Sequence, residues 1–531
     1  MNLSNLPTLS KERVFKLLTS RLEGDSKTLK DLPDPNSFKD MQKATKRVLE
    51  AIYLGEKIAI VGDYDVDGVV ATTIMRKFFE AIDYPIEWII PNRFKDGYGV
   101  SKSVIERLNS PDLIITVDNG ISANEAILEC NKRGIDVIIT DHHIVPKNPP
   151  QAYAIINQKQ DNCNFPYDEI CGAQVAWYFC ASIRRALGAD VDIKGLLELV
   201  ALAIVADIMP LLHINRVMLK SGLKLLEQSD TPFVQAYREF KSMDSFRADD
   251  IAFGLAPILN SAGRIDDAKI ACEYLFAKDL NRARELLKTL KNFNGKRKEI
   301  ESQITKEAIE SSDSSQEIIV SYGANWHEGV VGIVASRVSR YFEKPAIVLT
   351  KSDKNIFKGS GRSFGECNLF EAVNRQNTLL KGFGGHSKAI GLALEENNLD
   401  KFISSLQESA KKICPDEPYI DKAIFGILPF EEIDFELFEL IDRFEPFGHA
   451  NRRPKFISVD VEIVSSKALN DGEHYRYIFK KLDRFLEGVH FRSDRGFVVK
   501  DRVNILYSID ENIFNNSKKL QLLVEKIWIY K

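Results

Sequence analysis

Cysteine is scarce in this chain of 531 residues, and what there is has no pattern. Cys130, Cys163, Cys171, Cys180, Cys272, Cys367 and Cys414 are scattered, odd in number and never form a CxxC. That argues against a disulfide framework and predicts reduced thiols in a cytosolic protein. A signal-peptide pattern is missing as well, because the first residues are polar and charged, so a cytoplasmic location is expected. Long hydrophobic runs are absent too. The most apolar stretch, Leu196 to Leu212, is broken by Glu198 and Asp207 and cannot serve as a membrane span. Neither sign of charge dominates: 72 Lys and Arg against 76 Asp and Glu give −4, so any nucleic-acid surface must be local. Finally, there is no HExxH and no Cys/His ligand spacing, which disfavours a zinc hydrolase.

What is present is ordinary in bulk, with 44% apolar and 28% charged residues. The length calls for about two to four domains. Residues 1–56 read as a polar helical segment. From Lys57 onward, short apolar runs alternate with helical stretches. The runs are Ile58–Val61, Ile86–Ile90, Leu113–Val117, Val137–Thr140 and Ala154–Ile156. The helices between them are Val69–Ile82, Ser101–Leu108 and Ser122–Arg133. This rhythm predicts an α/β fold with a parallel, doubly wound sheet over residues 57–279. Ligands of such sheets collect at the carboxyl ends of the strands.

Those strand ends carry the chemistry. Ile58–Val61 runs into GDYDVDG, with Asp63, Asp65 and Asp67 at every second position and Gly68 releasing the backbone. Leu113–Val117 ends in Asp118-Asn119-Gly120, and Val137–Thr140 in Asp141-His142-His143. The apolar helix Leu196–Ala206 then delivers Asp207. A lone aspartate after a strand is commonly a turn residue, and the first cluster alone could be a solvated acidic turn. Acids and histidines at several equivalent strand ends point instead to a divalent-metal centre. Carboxylates with one or two imidazoles suit Mn²⁺ better than Mg²⁺. Four or more acids can bridge two ions about 3.5–4 Å apart, the arrangement used for in-line phosphoryl displacement.

Together GDYDVDG, TVDNGIS, TDHH and VADIMPL resemble the four motifs of the DHH phosphoesterase superfamily. PNRFKDGYG (Pro91 to Gly99), LNSAGRIDDA (Leu259 to Ala268) and GGHSKAIGLAL (Gly384 to Leu394) are similar to the RecJ exonucleases. The resemblance implies metal ligands at Asp63, Asp65, Asp67, Asp118, His142 and Asp207. Many relatives have a histidine where Val61 stands, so whether Asp63 binds directly is left open. It further implies His143 facing the scissile phosphate, Asp141 orienting both histidines, and substrate contacts from Arg93, Tyr98, Asn260 and Arg264.

Residues 280–316 read as one long, charged helix with a thin apolar stripe, of the kind that bridges domains. A second α/β unit at 317–415 carries glycine-rich loops at Gly359–Ser363 and Gly382–Ser387. By resemblance this is the DHH-associated domain, with Ser360, Arg362 and His386 contacting phosphate. Charge then changes sign. Residues 421–445 hold 8 acids and 2 bases, giving −6; residues 446–531 hold 16 bases and 11 acids, giving +5. Short alternating runs (Phe456–Val464, Tyr475–Lys480, Phe497–Val499, Asn504–Ser508) predict a small β domain over 416–531. The relatives place an OB-fold there, and Arg452, Arg453, Tyr475, Arg476, Tyr477, Lys480 and Lys481 would suit a strand-binding face.

The resulting expectation is a metal-dependent exonuclease, with two Mn²⁺ or Mg²⁺ ions, degrading single-stranded DNA from the 5′ end to mononucleotides in repair and recombination. A helicase and a single-stranded-DNA-binding protein are the expected partners, and no membrane is involved. The alternatives are a relative acting on oligoribonucleotides or cyclic dinucleotides, and a non-catalytic replication scaffold. The chain's length argues against the first, and its full set of acids against the second.

Overall fold

The computed structural model describes residues 6–97, 99–243, 245–352, 355–414, 421–469, 474–491, 493, 496–514 and 517–530. Five parallel strands form the first sheet: β1 (Ile58–Val61), β2 (Ile86–Ile89), β3 (Leu113–Val117), β4 (Asp136–Thr140) and β5 (Ala154–Ile156), in the order β2-β1-β3-β4-β5. Their β-branched residues alternate between two cores. Ile58 and Ile60 pack under helices Met41–Leu54, Val66–Ala81 and Gly172–Leu187, while Ala59 and Val61 face helices Lys102–Arg107 and Asn124–Lys132. With both faces covered, only the strand ends are open to a ligand. The order reverses direction between β1 and β3, so the crevice of this fold opens there.

The helix after β1 starts three residues earlier than its hydrophobic pattern suggests, at Val66. Gly68 therefore lies inside it and does not release the backbone. Its role is close approach: a Cβ there would stand 2.6 Å from the Asp63 backbone.

Helix Leu280–Ser311 is continuous over 32 residues, a span of roughly 48 Å at 1.5 Å per residue. Its first half buries Ala283, Leu286, Leu287 and Leu290 in the first core; Ile304 and Ala308 enter the core of the next unit. That unit's sheet has strands β6 (Ile319–Gly323), β7 (Ala346–Ser352), β8 (Ile356–Arg362), β9 (Leu380–His386) and β10 (Ala389–Glu395), in the order β6-β7-β8-β10-β9. Two sequence expectations fail here. The glycine-rich segments expected as loops are strands β8 and β9. Glycine is needed because a Cβ at Gly359 would meet the Val348 carbonyl at 2.2 Å, and one at Gly361 the Ile390 side chain at 2.7 Å. Nor are all the cysteines reduced: Cys367 and Cys414, 47 residues apart, form a disulfide with 4.2 Å between their Cα atoms. Folding brings the turn after β8 against the end of helix Leu399–Ile413, which linear spacing cannot show. The other five cysteines are free.

The C-terminal unit adds β11 (Ile424–Ile427), β12 (Lys455–Leu469), β13 (His474–Lys481), β14 (Arg484–Phe491), β15 (Arg502–Phe514) and β16 (Ser517–Ile529). Strands β12-β13-β14-β16-β15 close on themselves through a β12–β15 pairing, giving a five-stranded barrel. Phe497–Val499 is no strand. Phe497 is instead buried, its N–H donating to the Tyr477 hydroxyl at 3.2 Å. Helix Lys11–Arg21 packs Val14 and Leu18 into the barrel core, so the N-terminal segment serves two units. Arg216 ties the barrel's approach to the first domain by donating to the carbonyls of Phe444, Glu445 and Pro446. No helix among the described residues is long and apolar enough to cross a membrane.

Candidate metal centre

Four segments deliver the acids and histidines to the β1/β3 crevice. Asp65 caps helix Val66–Ala81, its carboxylate accepting from Gly68 N at 3.2 Å. Asn260 accepts from Val66 N at 3.1 Å and pins the same turn. Asp67 receives the N–H groups of Gly172 (2.6 Å) and Ala173 (2.8 Å), the first residues of helix Gly172–Leu187; the positive end of the helix dipole favours a carboxylate there. Asp118 leaves β3 with φ 62°, and Gly172 makes room for it, since a Cβ there would stand 2.6 Å from its carboxylate. Asn119 laces the strand ends together by donating to the carbonyls of Val61 (3.0 Å) and Val117 (2.9 Å).

Asp141 organises the histidines. Its Oδ1 accepts from His142 N (2.7 Å) and His143 N (3.0 Å) and lies 2.7 Å from His143 Nδ1, while Oδ2 accepts from Ile121 N (3.0 Å). His142 Nε2 is thereby aimed at the acids, 3.2 Å from Asp118 Oδ1 and 3.7 Å from both Asp67 Oδ2 and Asp207 Oδ2. Two triads result, Asp67–His142–Asp207 and Asp63–Asp65–Asp118, each with ligand atoms within 4.8 Å of one another. A third grouping, Asp118–His142–His143, overlaps them.

Electrostatics show how poorly this cluster is compensated by protein alone. Burial, then the charge of Asp65, pushes Asp63 well above the carboxylate range. Burial and four neighbouring aspartates do the same to Asp118. Asp207 is driven up to about 9 by burial, Asp67 and Asp65. Asp67 rises only to about 6, because the two amides offset part of the burial and of the Asp65 charge. Buried Asp63 Oδ1 and Asp207 Oδ2 have no hydrogen-bond partner. Burial, then the charge of His143, holds the His142 imidazole near 3, hence neutral and able to coordinate. Burial opposes charge on His143 too, but the Asp141 hydrogen bond outweighs it and lifts the ring to about 9. Asp141, despite burial, is held at about 2 by His143. Orphaned oxygens, a neutral imidazole and an all-O/N donor set fit hard or borderline divalent cations.

Facing the acids is a set of guanidinium groups. Arg264 is lowered to about 10 by burial, followed by repulsion from Arg93, Arg297 and Arg362, so these groups converge. Arg264 also donates to the Gly329 carbonyl of the second unit at 3.3 Å, and Phe94 meets His327 edge-on at 5.5 Å. Arg93 lies 4.4 Å over the Tyr64 ring. Arg362 donates to Ser360 Oγ at 2.8 Å. Register puts Arg362 and His386 on either side of Ala389. Burial, Arg362 and Lys159 lower the His386 pKa, which places Lys159 near this wall. Tyr98 lies outside the described residues.

Sequence reasoning missed Gly172, Ala173, Asn119, Lys159 and His327. Glycine at a helix start was a usable signal for the first. On the barrel it misjudged Tyr477, which is fully buried and cannot stack a base. Several of the proposed cations are engaged internally: Arg476 with Glu487, Arg453 with Glu445, Arg452 with Asp421, and Lys481 with the Val459 carbonyl.

Comparison with known proteins agrees with this construction. Residues 57–204 match the DHH family N-terminal domain, 315–412 the DHHA1 domain and 426–526 the RecJ OB domain. The fold and site thus define a DHH-type phosphoesterase. The single-stranded-DNA-specific exonuclease RecJ of Dickeya dadantii is 30% identical, over 99% of this chain and 96% of its own length. The Escherichia coli RecJ is 31% identical over 92% of this chain and 90% of its own. A crystal structure of RecJ in complex with Mn²⁺ from Thermus thermophilus superposes with a TM-score of 0.83 at 24% identity, covering 99% of this chain and 79% of that one. The chain belongs to the RecJ family.

Proposed function

We propose that this protein is a metal-dependent exonuclease that hydrolyses single-stranded DNA from its 5′ end to mononucleotides. The observation that carries the reading is the pair of carboxylate triads, linked by the 3.2 Å approach of His142 to Asp118. Asp67, His142 and Asp207 would hold one ion, Asp63 and Asp65 the other, with Asp118 serving both. Asp63 is included as a direct ligand because its buried Oδ1 has no other partner. The Thermus relative solved with Mn²⁺ supports Mn²⁺, or Mg²⁺, as the ion. Such ions lower the pKa of a bound water and neutralise charge on phosphate oxygens.

The chain's own residues do the rest. His143, held above its ordinary pKa by Asp141, donates a hydrogen bond to a phosphate oxygen; water adds to phosphorus, the P–O3′ bond breaks, and the proton that the water gives up ends on the departing 3′ oxygen. Arg93, Arg264 and Arg362, with Ser360 and His386, receive the 5′ end; Asn260 works indirectly by fixing the acidic turn. The barrel contributes to strand binding, and a helicase, a single-stranded-DNA-binding protein and a cytoplasmic setting complete the reading on the family's account. The test is digestion of matched DNA and RNA oligomers, labelled at either end, with Mn²⁺, Mg²⁺ or chelator. Release of labelled mononucleotide from the 3′ end first, or faster cutting of RNA, would refute it.

A further inference from the structure

A recess opens beside the clustered acids; it shares Asn260 and Arg264 with the proposed reaction, which has no part for the rest of its lining. Its volume is about 430 Å³, within the ~300–1,000 Å³ range of sites that enclose a small organic ring. Asn260, Arg264 and Arg297, the last already paired with Glu301, supply polar lining, and Ile208, Phe253 and Ile333 an apolar wall. The recess adjoins the metal centre: Asn260 pins the turn of Asp65, and Ile208 follows Asp207 directly in the chain.

Two side chains of the apolar wall are held out into water by unusual backbone. Ile208 has φ 56° and is 67% exposed, an outlying conformation for a β-branched residue. Phe253 is 82% exposed and sits on a π-helical turn, Ile251–Leu255. Buried Tyr237 occupies the space beside that turn: a Cβ at Gly254 would stand 2.2 Å from its hydroxyl, which donates to the Asp250 carbonyl at 3.3 Å. Folding gains nothing from exposing a phenyl ring and a branched alkyl chain. Such strain persists where the surroundings enforce it, and it clusters at ligand sites.

We propose that this recess takes one nucleobase of the strand under attack, with Phe253 as its stacking face, Ile208 as its edge and Arg264 facing the adjoining phosphate. This inference rests on the exonuclease reading. A stacking face accepts every base, since each has a π-face, which suits degradation without regard to sequence. A base reaches such a recess only when unpaired and unstacked from its neighbours. The recess therefore selects single strands by base extrusion, in addition to any selection by the width of the cleft.

The experiment measures equilibrium binding of 5′-phosphorylated oligodeoxynucleotides to the full chain in chelator, after Mn²⁺-dependent digestion of the same oligomers by wild type has been established. Phe253→Ala should weaken binding about 5- to 140-fold, the equivalent of one lost stacking contact, and Phe253→Trp should retain it. A single abasic nucleotide, walked from the 5′ end, should reproduce the loss at one position in wild type and add nothing there in Phe253→Ala. Ile208→Asn, whose side chain tolerates the left-handed region, should weaken binding while Tm stays level or rises. A folded Phe253→Ala with unchanged affinity overturns the proposal, as do abasic losses that add fully to it at every position. Unchanged DNA binding with loss of a protein ligand would assign the recess to a polypeptide and overturn it equally. Failure of wild type to digest DNA at all would remove the exonuclease reading itself, and is scored separately.

Discussion

Stripping the metal from this protein should make its stability fall as pH rises, and restoring Mn²⁺ should reverse that trend. The carboxyl of Asp67 is raised by burial and by Asp65 to about 6, from an ordinary value of 3.8. A folded pKa above the unfolded one means the folded chain holds the proton more tightly. The stability is then intact below pH ~4 and is lost as pH climbs past about 6. At ~1.4 kcal/mol per pH unit, Asp67 alone costs the metal-free fold about 3 kcal/mol at neutral pH. Asp207, raised to about 9, extends the loss to higher pH. For a domain of 150–250 residues, 3 kcal/mol corresponds to roughly 6–12 °C in Tm. Differential scanning fluorimetry between pH 5 and 8, with chelator and with saturating Mn²⁺, should show a metal-induced shift whose Asp67 share grows by about half that, roughly 3–6 °C, the other half having been lost below pH 5. Asp207→Asn supplies the control. It removes a buried, unpartnered carboxyl that the metal-free fold must keep protonated far above its ordinary pKa, so the metal-free variant should be more stable than wild type at pH 8 and respond less to Mn²⁺. A shift that is flat across this range, or that shrinks as pH rises, would refute the electrostatic account of the site.

The remaining expectations are simpler to measure. Asp118→Asn keeps a residue that tolerates φ 62° and should cost more than ~100-fold in hydrolysis with the circular dichroism spectrum unchanged, because losing even a group that supports a metal ligand costs 10–100-fold. Arg362→Ala should raise KM for 5′-phosphorylated oligomers more than it lowers kcat, and Arg362→Lys should not restore the loss, since an ammonium lacks the planar fork; equal effects on phosphorylated and unphosphorylated ends would remove Arg362 from the 5′ site. Tyr477→Ala, at a fully buried position, should cost roughly 3–5 kcal/mol in denaturant unfolding, while a folded variant that loses only DNA affinity would return this residue to the binding face.

The clustered acids were legible in the sequence because each follows a strand or helix whose apolar run marks its end. Asp63, Asp118 and His142 stand at three strand ends of one parallel sheet, and the β2-β1-β3-β4-β5 order brings those ends together. What holds them was not legible. The amides that bind Asp67 come from Gly172 and Ala173, about 105 residues away; glycine at a helix start hinted at the first, but a backbone donor does not say which carboxylate it will meet. Composition misled at β8 and β9, where glycine did not mean a loop: in β8 it marks crowding between strands, while Gly382 and Gly384 of β9 face open space. It misled again at Tyr477, because alternation in a closed barrel puts every second residue inside, and the one-residue phase was not fixed by the pattern.

The same electrostatics explain why the site sits between two units. The first unit gathers carboxylates that are held above their ordinary pKa by burial and mutual repulsion. Opposite them, Arg264 is depressed by burial and by three other guanidinium groups. The two clusters attract one another through charge, Asp65 acting on Arg264 and Arg93 on Asp63, while Arg264 donates to the Gly329 carbonyl and Arg362 to Ser360 Oγ and the Gly361 carbonyl. Each side is thus left with charge that a bound species of opposite sign can satisfy. On the proposed reading, divalent cations would relieve the acids and the substrate's phosphodiester would meet the arginines. Helix Leu280–Ser311, packed into both cores, ties the unit that carries Arg362 to the unit that carries the acids, Arg93 and Arg264. A protein that let them collapse together would be more stable, and would have nowhere to put its substrate.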